Sequence, residues 1–199
     1  MNTPVMISVL CGHERDGWIA PGLMDSLLAA MHDSQSHRRG VALNLVVDQK
    51  PVSAARNTAV AQFLKSPCQW LVQIDNDQFP RFRILDLIKA AEAEGKFIVG
   101  AATPCVGKQG LSWNATATGP EDFYRQLPDG WFQPFLIGSG FLAVRRAVFE
   151  KLSPPWFDTW AEDFVFCVKA QDAGLRVWAH SGFVCSHMKT FDLRELLPK

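Results

Sequence analysis

The sequence predicts an α/β domain: a mostly parallel central sheet with helices on both of its faces. Two observations carry this prediction. Apolar, strand-like runs alternate with helix-like segments through the first hundred residues, and two of these runs end at aspartates. Strands that alternate with helices form parallel sheets covered on both faces, and ligands of such sheets bind beyond the carboxyl ends of the strands. Asp48, Asp75 and Asp77 are therefore expected on the side of the sheet where chemistry takes place.

Four apolar runs in the first half have the length and composition of buried strands. They cover residues 5–11, 41–47, 69–74 and 97–101. Three segments between them have helical spacing, and each predicted helix has a local signal. Residues 20–31 carry apolar side chains three or four positions apart, Pro51 suits the first turn of a second helix, and Pro80 and Gly95 suit the start and end of a third. The apolar residues of the first helix are Leu23, Leu27, Leu28 and Met31.

The second half has a different pattern. Residues 103–133 are rich in glycine, proline and polar side chains, which indicates an irregular or hairpin region over the site. A strand over residues 135–144 is interrupted by Gly138-Ser139-Gly140. Two helices, over residues 145–152 and 161–173, and two short strands, over 175–179 and 183–187, complete the chain. The 199 residues are expected to form one domain.

Composition excludes several classes of protein. The formal net charge is zero, so no overall field favours nucleic acid or an anionic membrane. The five cysteines are scattered without a C-x-x-C pair, which predicts free thiols and no zinc ribbon. Neither a phosphate-binding G-x-x-x-x-G-K-[ST] loop nor a G-x-G-x-x-G fingerprint is present. No apolar run approaches the roughly 20 residues that span a bilayer, and we expect a cytoplasmic protein with no membrane span.

The segment from Trp70 to Asp77 is the strongest chemical signal. It is an apolar strand that opens onto two carboxylates, Asp75 and Asp77, two residues apart. Mg²⁺ and similar hard cations take one or two protein carboxylates together with phosphate oxygens of a substrate. The pattern therefore favours a divalent metal site, Mn²⁺ or Mg²⁺. Acids at a strand end also cap helices or close turns, and that alternative stays open.

Three further features point to the same region. Arg56 and Asn57 are polar residues within a largely apolar helix, and a guanidinium suits phosphate oxygens. Glu162 and Asp163 open a later helix, where they either cap it or supply a general base. His187 ends the last strand, where an imidazole can complete the ligand shell of a metal.

In this order the motifs resemble glycosyltransferases with the GT-A fold, of the family 2 type, and in particular its compact bacterial and phage members. The resemblance runs from Val5 to His187. The segments that carry it are Ala55-Arg56-Asn57, Ile74-Asp75-Asn76-Asp77, Gly138 to Arg146, Ala161 to Cys167, and His187. It implies a Rossmann-like domain whose residues 1–102 bind a nucleotide and whose residues 103–199 form the acceptor and catalytic half.

The resemblance also implies roles for individual residues. Asp77 and His187 would hold the metal, and Asp75 would contact the donor ribose or the metal. Gly138, Ser139 and Gly140 would line the sugar and acceptor pocket. Asp163, with Glu162 beside it, would be the catalytic base. The residues expected beside the nucleotide are Asp48, Arg56 and Asn57.

The implied activity is transfer of a sugar from a nucleotide-sugar, expected to be a UDP-sugar, to an acceptor hydroxyl with inversion of configuration. The acceptor stays open among a saccharide, a protein and a modified DNA base, and the last would make the chain a phage-type DNA glycosyltransferase. Two rival interpretations are a nucleotidyltransferase and a non-catalytic nucleotide-sugar binding module. The first normally has a glycine-rich basic loop after its first strand, whereas Cys11-Gly12-His13-Glu14-Arg15 is poor in glycine.

Overall fold

The computed structural model describes residues 4–12, 19–36, 39–107 and 110–188. Thirteen strands and five helices lie within these ranges. In chain order they are β1 (Val5–Cys11), α1 (Pro21–Ser36), β2 (Val41–Val47), α2 (Val52–Leu64), β3 (Trp70–Asp75), β4 (Gln78–Pro80), α3 (Ile84–Ala93), β5 (Ile98–Gly100), β6 (Pro104–Gly107), β7 (Gly110–Trp113), β8 (Ala115–Thr116), β9 (Trp131–Phe132), β10 (Leu136–Ile137), β11 (Phe141–Arg145), α4 (Arg146–Lys151), α5 (Glu162–Asp172), β12 (Val177–His180) and β13 (Cys185–His187).

The centre of the fold is a seven-stranded sheet in the order β2-β1-β3-β11-β5-β12-β9. Strands β2, β1, β3, β5 and β12 run in one direction, while β11 and β9 run in the other. The predicted mostly parallel sheet is therefore confirmed. The register sets Leu10 opposite both Val46 and Asp75, so the carboxyl ends of β1, β2 and β3 meet at one edge.

Helices cover both faces of this sheet. Successive side chains of a strand point to opposite faces. Val5, Ile7 and Val9 of β1 belong to a buried cluster with residues of α1 and α3. Met6 lies in a second cluster with residues of α2, α4 and α5. Burial of these apolar side chains from water is the main term that holds the layers together.

The prediction of a helix start at Pro80 is wrong. Pro80 ends the short strand β4, which pairs in antiparallel fashion with β13, and α3 begins four residues later at Ile84. Partly buried Phe79 packs against the core, so the gain from this long-range packing and pairing outweighs the local preference of proline for a helix start. The pairing has a consequence for the site, because it sets His187 opposite Gln78.

The glycine-rich second half contains the predicted hairpin. Strands β6 and β7 pair in antiparallel fashion, and β8 pairs with β10. The single strand predicted over residues 135–144 is divided into β10 and β11 at Gly138-Ser139-Gly140. All five cysteines are free thiols, as expected. Among the helices of the described ranges, none is long and apolar enough to cross a membrane.

Candidate active site

Asp77 and His187 lie together at the carboxyl edge of the sheet. Asp75 is the last residue of β3, and Asp77 follows in the turn before β4. The pairing of β4 with β13 brings Nε2 of His187 to 3.2 Å from Oδ2 of Asp77. The other ring nitrogen, Nδ1, lies 3.2 Å from the carbonyl oxygen of Pro104. A carbonyl oxygen accepts a hydrogen bond, so Nδ1 donates in this contact, and Nε2 is the ring nitrogen that faces Asp77.

The pair fits two neighbouring ligands of a divalent cation. Two ligands about 2.1 Å from an octahedral ion, at a right angle to each other, are about 3 Å apart. The contact between Nδ1 and a backbone carbonyl is the usual support of a metal-binding histidine. In the described ranges no group of three His, Cys, Asp or Glu side chains could hold a metal ion by itself. The remaining ligands would then be supplied by a bound substrate.

Arg56 connects the end of β3 to the start of α5. Its Nη2 lies 3.0 Å from Oδ1 and 3.1 Å from Oδ2 of Asp75, and its Nε lies 3.4 Å from Oε1 of Glu162. The residue is 2% exposed. Arg56 is therefore buried and holds two carboxylates, and its expected place beside the nucleotide stays a prediction. Its Nη1 is buried without a hydrogen-bond partner in the part of the chain that the structure describes.

Asn57, next to Arg56, makes all its side-chain hydrogen bonds to the backbone of this chain. Its Oδ1 accepts hydrogen bonds from the backbone N–H groups of Trp156 and Phe157, at 3.0 and 3.1 Å. Its Nδ2 donates to the carbonyl oxygens of Phe157 and Ser53, at 2.7 and 2.9 Å. These four bonds use the full capacity of a carboxamide. Asn57 thus anchors the loop that leads to α5, and its expected place beside the nucleotide stays a prediction.

Gly138-Ser139-Gly140 packs against both acidic segments. The carbonyl oxygen of Gly140 accepts the N–H of Asp75 at 2.9 Å. The backbone N–H of Ser139 hydrogen-bonds the carboxylate of Asp163. A Cβ at Gly140 would lie 1.7 Å from Nε2 of Gln78, so this position has no room for a side chain. The hydroxyl of Ser139 is buried and makes no hydrogen bond to the described residues.

Burial raises the pKa of both Asp75 and Asp163. For Asp75 the desolvation is opposed by the charge of Arg56 and its hydrogen bond, while the charges of Asp77 and Glu162 add to the rise. For Asp163 the desolvation and the charge of Glu162 raise the pKa, and the N–H groups of Phe164 and Ser139 together with Arg56 lower it. A carboxyl group with a raised pKa is a stronger proton acceptor once ionised, which suits general base catalysis.

A cleft of about 730 Å³ opens at the carboxyl ends of β1 and β3. Asp75 and Asp77 form one of its walls, and the segment that joins β2 to α2 forms another. Its lining residues are Leu10, Cys11, Gly12, Gln49, Lys50, Pro51, Val52, Ala55, Asp75, Asn76 and Asp77.

Asp48 follows β2 directly, and its expected place beside the nucleotide stays a prediction. It is exposed and has a φ of 64°, with its N–H bonded to the carbonyl oxygen of Cys11 at 3.2 Å. Aspartate is one of the few residues that tolerate this left-handed conformation. The structure therefore gives Asp48 the role of a turn residue, and the next residues, Gln49 and Lys50, reach the cleft.

Two polar residues near the site, Gln78 and Asn114, carried no signal in the sequence. Gln78 is 5% exposed, and its Oε1 accepts a hydrogen bond from Thr103 at 2.9 Å. Asn114 accepts the N–H of Thr103 at 2.8 Å, and its side chain fills the space above Gly138. Each is an isolated polar residue far from its partners in the chain. Lys50 is different, because a cation that follows a strand end is a recognisable feature of the short β2–α2 connection.

The fold is an α/β domain of the GT-A type, with helices on both faces of a mostly parallel sheet. No protein-family model matches the sequence, and no curated protein matches it in sequence. The solved structures that it resembles share this fold at low sequence identity.

One of these structures is the protein A197 from STIV, with a TM-score of 0.69, 20% identity, and coverage of 94% of this chain and 87% of that one. GalNAc-T7, solved with UDP, GalNAc and Mn²⁺, has a TM-score of 0.66 at 12% identity over 96% of this chain, which spans 45% of GalNAc-T7. A Drosophila β-1,4-galactosyltransferase 7 mutant, in complex with manganese, UDP-Gal and xylobiose, has a TM-score of 0.55 at 16% identity over 98% of this chain and 79% of that one. These likenesses confirm the GT-A fold. Membership of family 2 stays a prediction.

Proposed function

We propose that this chain is a metal-dependent glycosyltransferase that uses a nucleotide-sugar donor. The observation that carries the proposal is the contact between Asp77, which lines the cleft of about 730 Å³, and His187, whose Nε2 lies 3.2 Å from Oδ2 of Asp77. Two structural neighbours contain UDP and manganese on the same fold. The donor that we propose is therefore a UDP-sugar.

Asp77 and His187 would hold the cation, Mn²⁺ or Mg²⁺. The ion would neutralise the charge that develops on the departing nucleoside diphosphate. The diphosphate would supply the oxygen ligands that the protein lacks, which accounts for a site with two protein ligands. Lys50, which lines the cleft, is placed to add a positive charge near the same phosphates.

Asp163 is the general base of the proposed reaction. It would accept the proton of the acceptor hydroxyl while the hydroxyl oxygen attacks the anomeric carbon and the bond to the diphosphate breaks. Its raised pKa and its position against the N–H of Ser139 support this role. Attack from the side opposite the leaving group inverts the anomeric centre, and NMR of the product anomer would refute this step by showing retention.

Arg56 and Glu162 are positioning residues of the proposed site. The guanidinium of Arg56 lies between Asp75 and Glu162, and Asp163 follows directly in the chain. Because Arg56 is buried, these side chains are fixed before a substrate binds. Such preorganisation removes the cost of ordering the site during the reaction.

Release of nucleoside diphosphate tests the proposal. The protein is incubated with UDP-, GDP- and dTDP-sugars, with and without Mn²⁺, and with water or simple saccharides as acceptors. We expect release from UDP-sugars that needs the metal and falls by about a hundredfold or more in Asp163→Asn. Asp158→Asn is the matched control, because Asp158 is exposed and bonds its neighbour Thr159. Metal-dependent donor binding without turnover would instead support a binding module.

A further inference from the structure

Strand β2 is an edge strand without the usual protection. Among the described residues it pairs with β1 alone, and it forms one end of the seven-stranded sheet. Its sequence, Val-Ala-Leu-Asn-Leu-Val-Val, has no charge, no proline and no glycine over seven residues. Natural proteins normally protect an exposed edge with charges, proline or a bulge, because its free N–H and C=O groups pair readily with another strand. A long, uncharged edge indicates that another strand covers it.

An apolar surface lies beside this edge. Leu43, Leu45 and Val47 of β2 are 43%, 56% and 53% exposed. They pair across the sheet with Ile7, Val9 and Cys11 of β1, whose side chains pack on the α1 side. Paired residues of neighbouring strands point to the same face, so Leu43, Leu45 and Val47 also lie on the α1 side. Helix α1 adds three exposed apolar residues at helical spacing, Met24, Leu28 and Met31. We call this surface the α1/β2 face, and its members are Met24, Leu28, Met31, Leu43, Leu45 and Val47.

We infer that the α1/β2 face is a dimer interface, in which β2 pairs in antiparallel fashion with β2 of a second copy. A strand paired with its own copy about a two-fold axis at Asn44 places Leu43 opposite the partner's Leu45. Side chains on the α1 side then stay on that side in both copies. Because β2 carries no charge, this self-pairing meets no electrostatic repulsion.

The size of the face agrees with a dimer. Six large side chains that are each about half exposed present roughly 400–500 Å² of apolar surface, near the upper limit for a monomeric protein. One side of a standard interface buries about 800 Å², of which somewhat more than half is apolar. Antiparallel pairing would also leave the two clefts at opposite ends of a continuous sheet, so both stay open to substrate.

The mass of the full chain in solution tests this inference independently of the enzymatic activity. Light scattering after size exclusion should give twice the chain mass of 22.2 kDa at micromolar concentration. Leu45→Lys should weaken dimerisation by roughly a hundredfold, because an ammonium group would have to be desolvated in the interface. Leu111→Lys is the matched control, since Leu111 lies on β7, away from the face, and is 67% exposed; it should stay dimeric.

A second variant and hydrogen exchange test the same interface if Leu45→Lys does not fold. If Leu45→Lys fails to fold, as judged by its melting temperature, Leu28→Lys tests the same face from the exposed side of α1. Hydrogen exchange of the β2 amides should be slow in the dimer and faster in the monomeric variant. A wild-type chain with the mass of one copy throughout the micromolar range would overturn the inference. A dimer that Leu45→Lys and Leu28→Lys leave intact would also overturn it.

Discussion

Asp77 and His187 are separated by 110 positions in the chain, yet Oδ2 of the first lies 3.2 Å from Nε2 of the second. The short antiparallel pair of β4 and β13 produces this contact, because it sets His187 opposite Gln78, the residue next to Asp77. The N–H of Met188 also bonds the carbonyl oxygen of Asp77 at 2.8 Å. Backbone hydrogen bonds therefore fix both members of the candidate metal pair before any ligand binds.

Arg56→Met should destabilise the protein by about 3 kcal/mol or more. The substitution leaves Asp75 and Glu162 without their shared cation, and removal of one partner from a buried ion pair is costly. The free energy of unfolding, from urea denaturation, checks this. Arg81→Met, at an exposed position, should change it by less than about 0.5 kcal/mol. Equal effects of the two substitutions would contradict the role assigned to Arg56.

Gly140→Ala should cost about 1–3 kcal/mol of stability through overpacking. The added Cβ would lie 1.7 Å from Nε2 of Gln78, which would have to leave its contact with Thr103. The double variant Gly140→Ala/Gln78→Ala should recover part of the loss, which urea denaturation of Gly140→Ala, Gln78→Ala and the double variant measures. Gly119→Ala is the control, since nothing lies within 4 Å of its Cβ position. If the double variant recovers nothing, Gln78 is not the obstacle.

Asp163→Asn should raise stability at neutral pH while it lowers turnover by about a hundredfold or more. Burial raises the pKa of Asp163 above its usual value of 3.8. A carboxyl group with a raised folded pKa contributes stability that is fully present below the unfolded pKa and is lost as pH rises through the folded pKa. The variant cannot ionise, so its melting temperature should exceed that of the wild type above the folded pKa, and the two should converge below about pH 3.8. A variant less stable than the wild type at neutral pH would contradict this account.

Ala161→Gly should be neutral or stabilising by up to about 1 kcal/mol. Ala161 has a φ of 47°, in the left-handed region where an alanine is strained and a glycine is not. It immediately precedes Glu162, so the strained residue sets the entry of α5 into the site. Urea denaturation measures the change, and Ala170→Gly within α5 is the control that should lose about 1 kcal/mol or more. Losses of the same size at both positions would show that Ala161 is not strained.

The sequence predicted the sheet well where the signal is local. The limits of β1 and β2 coincide with the predicted runs, because each is a continuous apolar segment with polar or glycine residues at its ends. The buried face of α2, with Ala55, Ala59 and Phe63, also follows directly from helical periodicity. The candidate site residues Asp75 and Asp77 could be predicted because they lie at the end of such an apolar strand.

Long-range relationships could not be predicted from local patterns. A pair of three-residue strands such as β4 and β13 has no periodic signal, so local patterns predict a helix start at Pro80 instead. Arg56 and Asn57 were recognised as unusual, but their partners lie about a hundred residues away, at Glu162 and at Phe157. Periodicity also gives no indication of which face of a helix a neighbour covers, so the exposure of Leu28 and Met31 could not be predicted.

The central claim is that Asp77 and His187 bind a divalent cation together with the diphosphate of the donor. Isothermal titration of UDP into the protein, with Mn²⁺ and then with a chelator, tests it most directly. We expect binding that needs Mn²⁺ in the wild type and is lost in both Asp77→Ala and His187→Ala, while Asp158→Asn binds as the wild type does. UDP binding of equal affinity in Asp77→Ala, or in the presence of the chelator, would contradict the account.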